Sequence, residues 1–276
     1  SAAFATPHSK DLSSCRTNSM LIPISIFAIA VSFLLADRPV TSRILAAHGL
    51  PGERLLVQCC SLKYFEHVAK DARMRVGIQG RGSMRGAVYR ERGHVYAADA
   101  CEDLARAARD GRLRLSALAR FQYPGRRLPV RQLTGVCSVG CWDAPAPQTW
   151  GLDWHRNEGL ELSFLESGGV AFAVEGHPQD VLRPGSLAIT RPWQPHRLGA
   201  PHVGACKLHW LILDVGVRHP NQPWRWPPWI VLTREDLEEL TRLLRQQEIP
   251  VWTAGPGFRE CFLGIARAIG TDGPPP

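Results

Sequence analysis

His155-Arg156-Asn157-Glu158-Gly159-Leu160-Glu161-Leu162-Ser163-Phe164 opens the stretch that decides the fold; it runs on to Gly168 and Arg183-Pro184-Gly185-Ser186 and closes on Trp193-Gln194-Pro195-His196. Leu160, Leu162 and Phe164 alternate with Glu161 and Ser163, and Val170, Phe172 and Val174 alternate after them. Alternation of period two marks strands with distinct faces. Pro184-Gly185 has the residues of a type II turn, because Pro fixes the first central φ and Gly supplies the positive second one. Read as one strand, His155 to Ser163 puts His155, Asn157, Glu161 and Ser163 on one face and Leu160, Leu162 and Phe164 on the other. His196, beyond the turn and one more strand, is expected to return to the same pocket. Polar clusters separated by apolar alternation are how a small antiparallel barrel places a few polar groups in one cavity.

Working outward, short strand signals continue from Val136 to Val217, with Leu208, Trp210 and Ile212 forming another alternating set. Many short strands with turn residues between them predict a sandwich or barrel. Before them, Asp99 and Glu102 have capping-box spacing ahead of a short helix through Leu104 and Ala108, and Leu113, Leu115 and Ala117 predict a half-exposed strand. After them comes a Pro/Trp loop from Asn221 to Trp229, expected to pack rigidly over the barrel or against a partner domain. Thr233 and Asp236 give a second capping signal. Leu237, Leu240, Leu243 and Leu244 share a helical face, and Phe258, Cys261, Phe262, Ile265, Ala266 and Ile269 form an amphipathic helix.

Composition narrows the class. With 276 residues and 45% hydrophobic residues the chain can fill a core, and its net charge is +8. Fourteen Arg and no Lys fall between Arg73 and Arg131, which fits either an anionic partner, nucleic acid first, or a solvated basic surface. The eight Cys lack a CxxC pair, so a structural zinc site is not expected, and their spread fits reduced thiols in a cytoplasmic protein. Met20 to Ala36 is uncharged and apolar. It reads as translated non-domain sequence, a membrane anchor or a cleaved signal. Nucleophile-elbow, Walker, HExxH and Rossmann patterns are absent from the sequence.

The spacing resembles the two cupin motifs. The first has His-x-His, three or four residues, Glu, six residues and Gly; here His155-x-Asn157 is followed by three residues, Glu161, six residues and Gly168, so Asn replaces the second His. The second motif is matched by Gly185 and His196 at the right separation, with Arg191, Trp193 and Ala200 where the motif has Pro, Gly and Asn. A cupin-like unit followed by two helices, with Gly151-Leu152-Asp153-Trp154 and Thr190-Arg191-Pro192-Trp193 beside the motif residues, resembles the N-terminal effector-binding and dimerisation domain of AraC-type transcriptional regulators. The resemblance covers 89–270 and is strongest over 136–262. It implies a mainly β fold: a cupin-like antiparallel barrel (double-stranded β-helix) over 88–231, then a two-helix hairpin for dimerisation over 232–270. A leader, 1–87, precedes these and a linker or truncated end, 271–276, follows. It also implies a cytoplasmic homodimer that binds a small effector, with a sugar as the family-level candidate. Contact with DNA is implied only through a helix-turn-helix module that these residues do not contain.

Three readings of the pocket compete. His155, Glu161 and His196 form a two-His, one-carboxylate set of the kind that holds Fe(II), Mn or Zn, which would make the protein a metal-dependent cupin enzyme, a dioxygenase or isomerase. Asn157 removes a good ligand from that set. In the reading adopted here, His155, Asn157, Glu161, Trp193 and His196 bind an effector, with Trp154, Trp193 or Trp210 available to stack on a sugar ring, and no catalytic residue, metal or cofactor is expected. In the third, the histidines line the barrel with satisfied hydrogen bonds and hold nothing.

Overall fold

Short alternating runs become strands in the computed structural model, which describes residues 88–91, 93–129, 132–219, 221–230 and 232–270. The apolar 20–36 segment, most of the leader and 271–276 lie outside these residues. A hairpin of β1 (Val88–Glu91) and β2 (His94–Ala97) leads into helix α1 (Glu102–Arg109). Next come β3 (Arg114–Ala119), β4 (Arg126–Arg127), β5 (Val136–Ala144), β6 (Leu152–His155), β7 (Leu160–Gly168), β8 (Val170–Val174), β9 (Asp180–Leu182), β10 (Ser186–Thr190), β11 (His196–Leu198) and β12 (Cys206–Leu213). Helix α2 (Arg234–Gln246), β13 (Val251–Thr253) and helix α3 (Pro256–Gly270) complete the order. Thus the fold is mainly β.

The larger sheet runs β13-β10-β7-β12-β5-β3-β4 and the smaller β6-β11-β8-β9. Alternation assigns the larger sheet's two faces. Leu165, Leu208, Trp210 and Ile212 share one buried cluster with Val170, Phe172, Val174 and Leu198 of the smaller sheet. The two sheets therefore face each other across an apolar interior. Leu160, Leu162, Phe164, Leu187 and Leu211 point the opposite way, into a second cluster with Leu240 and Leu244 of α2 and Phe258, Phe262 and Ile265 of α3. Helices cover the larger sheet's outer face because its apolar residues there must also leave water. Phe262 stacks on Phe164 with ring centroids 5.7 Å apart. A partly buried ionic group sits under α3, where Glu166 accepts from the buried His209 Nε2 at 2.7 Å and from Lys207 Nζ at 3.0 Å.

Several expectations change. Thr233 caps α2 as its spacing predicts, accepting from the Asp236 N–H at 3.1 Å. The α1 cap differs: Asp99 accepts from the Cys101 N–H at 2.5 Å, and the N-cap is Cys101 itself, in the left-handed region at φ 48°. Pro184-Gly185 makes the expected turn, with Gly185 at φ 89° and the Ser186 N–H bonded to the Arg183 carbonyl at 2.8 Å.

The C-terminal part is not a simple two-helix hairpin. Between α2 and α3 the chain forms β13, which pairs with β10 at the edge of the larger sheet. The apolar face of α3 packs on β3, β5, β7 and β12 of its own chain, so that face is core. Trp224, Trp226 and Trp229 pack against the same outer cluster, as expected of a rigid loop. Among the described residues, no helix is long and apolar enough to cross a membrane.

Candidate functional site

The expected continuous strand from His155 to Ser163 is two strands in two sheets. His155 ends β6 in the smaller sheet, and Glu161 and Ser163 stand on β7 in the larger one. The link between them passes hard against the end of β12. A Cβ on Gly159 would lie 2.4 Å from the Leu213 carbonyl oxygen, so only Gly fits this crossing. The polar residues meet because the chain changes sheets there and faces itself. His196 comes from β11, directly opposite His155 in the ladder.

Glu161 is the hub. Its Oε2 accepts from Asn157 Nδ2 and from His196 Nε2, the latter at 3.1 Å, and its Oε1 accepts from Ser163 Oγ at 2.9 Å. Burial pushes its carboxyl up, but the His196 hydrogen bond, the nearby imidazoles and the Ser163 hydroxyl outweigh that and hold it below its usual value. His196 Nδ1 lies 2.9 Å from the Gln194 carbonyl. Both its ring nitrogens face acceptors.

His155 behaves differently. Its ring lies 4.2 Å from that of His196, centroid to centroid. Its Nδ1 sits 2.6 Å from the Asp153 carbonyl, so this nitrogen carries the proton. Burial, and then the neighbouring His196, push its pKa down to about 4 despite Glu161. The ring is therefore neutral at pH 7, and its Nε2 is an acceptor without a hydrogen-bond partner among the described residues.

A second layer supports Asn157. Tyr123 OH lies 3.3 Å from Asn157 Oδ1 and 2.5 Å from Glu158 Oε2. Burial and then Glu158 push the Tyr123 hydroxyl well up, so it stays a donor. Glu158 Oε1 is buried without a partner. Neither Tyr123 nor Glu158 stood out in the sequence. Only tertiary contact carries Tyr123 across the intervening chain.

Between the sheets lies a cavity of about 30 Å³ lined by His155, Asn157 and Glu161 with Tyr123, Trp142 and Trp210 among others. That is room for about one or two waters. Of the expected site residues, His155, Asn157 and Glu161 line it, and His196 backs Glu161. Trp193 stands apart. Its indole N–H donates to the Val217 carbonyl at 2.9 Å and its side chain clusters with Val215 and Val217. Its backbone still serves the site: at φ 64°, in the position where the motif has Gly, it donates its N–H to the Asn157 carbonyl at 2.7 Å. Trp154 is exposed under Arg197. Of the three Trp expected to stack on a ligand, Trp210 alone lines the cavity, and Ser138 Oγ accepts from its indole at 2.8 Å.

The donor set does not suit a metal. Both Glu161 oxygens and His196 Nε2 are spent on one another and on Asn157 and Ser163. Among the described residues, no three His, Cys, Asp or Glu side chains are placed to hold a metal ion. The metal-enzyme reading is not favoured.

No protein-family model matches the chain, and no curated protein does. Solved structures that match include a cupin superfamily protein from Desulfitobacterium hafniense, at 14% identity over 30% of this chain and 70% of that one, with a TM-score of 0.25. A cupin family protein with a double-stranded β-helix fold from Methanocaldococcus jannaschii matches at 9% identity over 29% and 72%, with a TM-score of 0.25. A predicted oxalate decarboxylase from Thermotoga maritima matches at 15% identity over 29% and 67%, with a TM-score of 0.24. At these scores the matches carry no argument about activity.

Proposed function

We propose that this chain is a cupin-like small-molecule sensor domain of an AraC-type transcriptional regulator. The observation that carries the reading is the saturated acid. Glu161 is held by Asn157, Ser163 and His196, so the site is a fixed polar wall in an apolar cavity, with His155 Nε2 left to meet a ligand. A few fixed polar groups in an apolar pocket are what recognition of a small molecule needs. The resemblance of 89–270 to the AraC-type domain supplies the regulatory part of the reading.

The cavity explains how sensing would work. At about 30 Å³ it is far below the several hundred Å³ of ordinary ligand pockets. The strands around it are locked in ladders, whereas Cys101 and Leu104 come from the start of α1, and Tyr123 and Pro124 from a turn. An effector enters only by moving these outward, and that movement is the differential state that sensing requires. Homodimerisation through the C-terminal helices, and DNA contact through a helix-turn-helix module outside residues 88–270, belong to the same proposal. A sugar is the family-level candidate effector.

A thermal-shift screen against sugars and related metabolites tests this. A hit that stabilises the protein and is lost in Asn157→Ala and His155→Ala supports it. A flat response across a broad library overturns it. Sedimentation at micromolar concentration checks the dimer, and a monomer alone refutes that part.

A further inference from the structure

We infer that the groove between the Trp loop and α2 is a second binding site, for a planar anionic ligand: a flat ring carrying a phosphate or carboxylate. This groove encloses about 680 Å³, within the range of small-molecule sites, whereas the intersheet cavity holds only about 30 Å³. It lies on the outer side of the larger sheet's helical layer and shares no lining residue with that cavity.

The chemistry of its walls names the ligand. One wall is aromatic. Trp224 and Trp226 meet edge to face at 5.7 Å, and Thr241 Oγ1 accepts from the Trp226 indole at 2.8 Å, which fixes that ring on α2. The opposite wall carries three guanidinium groups, Arg234, Arg242 and Arg245, against one lining carboxylate, Glu238. Arg234 faces Glu238 at 3.3 Å, and Arg242 holds Glu239 and Gln246. Arg245 has no side-chain partner among the described residues. Its backbone carbonyl accepts from Arg191 Nη1 at 2.7 Å, which brings a further guanidinium to the C-terminal end of α2.

Arg242 and Arg245 are three residues apart, and so neighbours on one helical face. Because Arg234 and Arg242 already face carboxylates, the Arg245 guanidinium is the one left to take a phosphate or carboxylate by forked hydrogen bonds, and a Trp face takes a flat ring. Basic side chains in a last helical turn also interact with the helix dipole, but that role asks for no aromatic wall. A ligand bridging the two walls would hold the loop to α2.

Calorimetric titration of the full chain with AMP, salicylate, adenosine and inorganic phosphate tests the assignment. The expected result is binding of AMP or salicylate, at least about tenfold weaker binding of adenosine and phosphate, and a further loss of about tenfold in both Arg245→Ala and Trp224→Ala. AMP alone would make the anion a phosphate, and salicylate alone a carboxylate. Arg245 is exposed and Trp224 half-buried, and unchanged near-UV circular dichroism verifies the fold of both variants. The inference fails if neither AMP nor salicylate binds, or if binding survives both substitutions in folded protein. Because the probes address a groove remote from His155, failure here leaves the sensor proposal standing, and failure of the sensor screen leaves this one.

Discussion

Replacing His155 by Gln should flatten the acid limb of the stability curve. The folded protein holds this ring neutral down to about pH 4, whereas its ordinary pKa is 6.5. Below pH 6.5 the unfolded chain therefore binds a proton that the folded chain refuses. Stability rises with pH wherever the unfolded state binds more protons, so the contribution is complete above pH 6.5 and is lost as pH falls toward 4. Each unit of difference is worth about 1.4 kcal/mol. Between about pH 7.5 and about pH 5 the loss is on the order of 2 kcal/mol, and about 3 kcal/mol once both states are protonated. Urea unfolding at the two pH values measures it. His209 is also held low, by burial first, so it adds to the slope of both proteins and cancels in the comparison. Gln cannot titrate, so His155→Gln should lose about 2 kcal/mol less than the wild type over this interval. Equal losses in the two proteins would mean that His155 charges freely inside the fold, and the argument from its burial would be wrong.

Other outcomes follow from the same structure. Glu161→Ala leaves Asn157, Ser163 and His196 without their acceptor and should cost about 3–5 kcal/mol in urea unfolding; a loss under about 1 kcal/mol would deny Glu161 its place as hub. Tyr123→Phe takes the hydroxyl donor from Glu158 Oε2 and should cost about 1–3 kcal/mol, read as a lower urea midpoint at unchanged slope. Phe262→Ala removes a buried ring stacked on Phe164 and should cost about 3–5 kcal/mol, with α3 amides losing hydrogen-exchange protection first. Unchanged protection would mean that α3 is not held by this contact.

The strands of the motif stretch were legible because large apolar residues recur there at every second position. Leu160, Leu162 and Phe164, and likewise Leu208, Trp210 and Ile212, alternate in sequence and point to opposite faces of the larger sheet. Cap chemistry was legible at Thr233 for the same local reason. It failed at Asp99, where the side chain closes a turn one residue short of the helix. β13 was missed because Val251-Trp252-Thr253 is too short to show a period, and it is a strand only because the edge of β10 is there to pair with it.

What the sequence determined by itself is therefore the local periodicity, the turn at Pro184-Gly185 and the polar set His155, Asn157, Glu161 and His196. What tertiary structure decided is how that set meets. Parity along one strand predicted a shared face, but the chain changes sheets at Gly159 and brings His155 back against Glu161 from the opposite side. That crossing depends on a carbonyl of β12, more than fifty residues later in the chain. The same packing turned Trp193 away from the cavity and brought Tyr123 in. No local pattern encodes either placement, because each is fixed by groups distant in sequence that must satisfy one another's hydrogen bonds once water is gone.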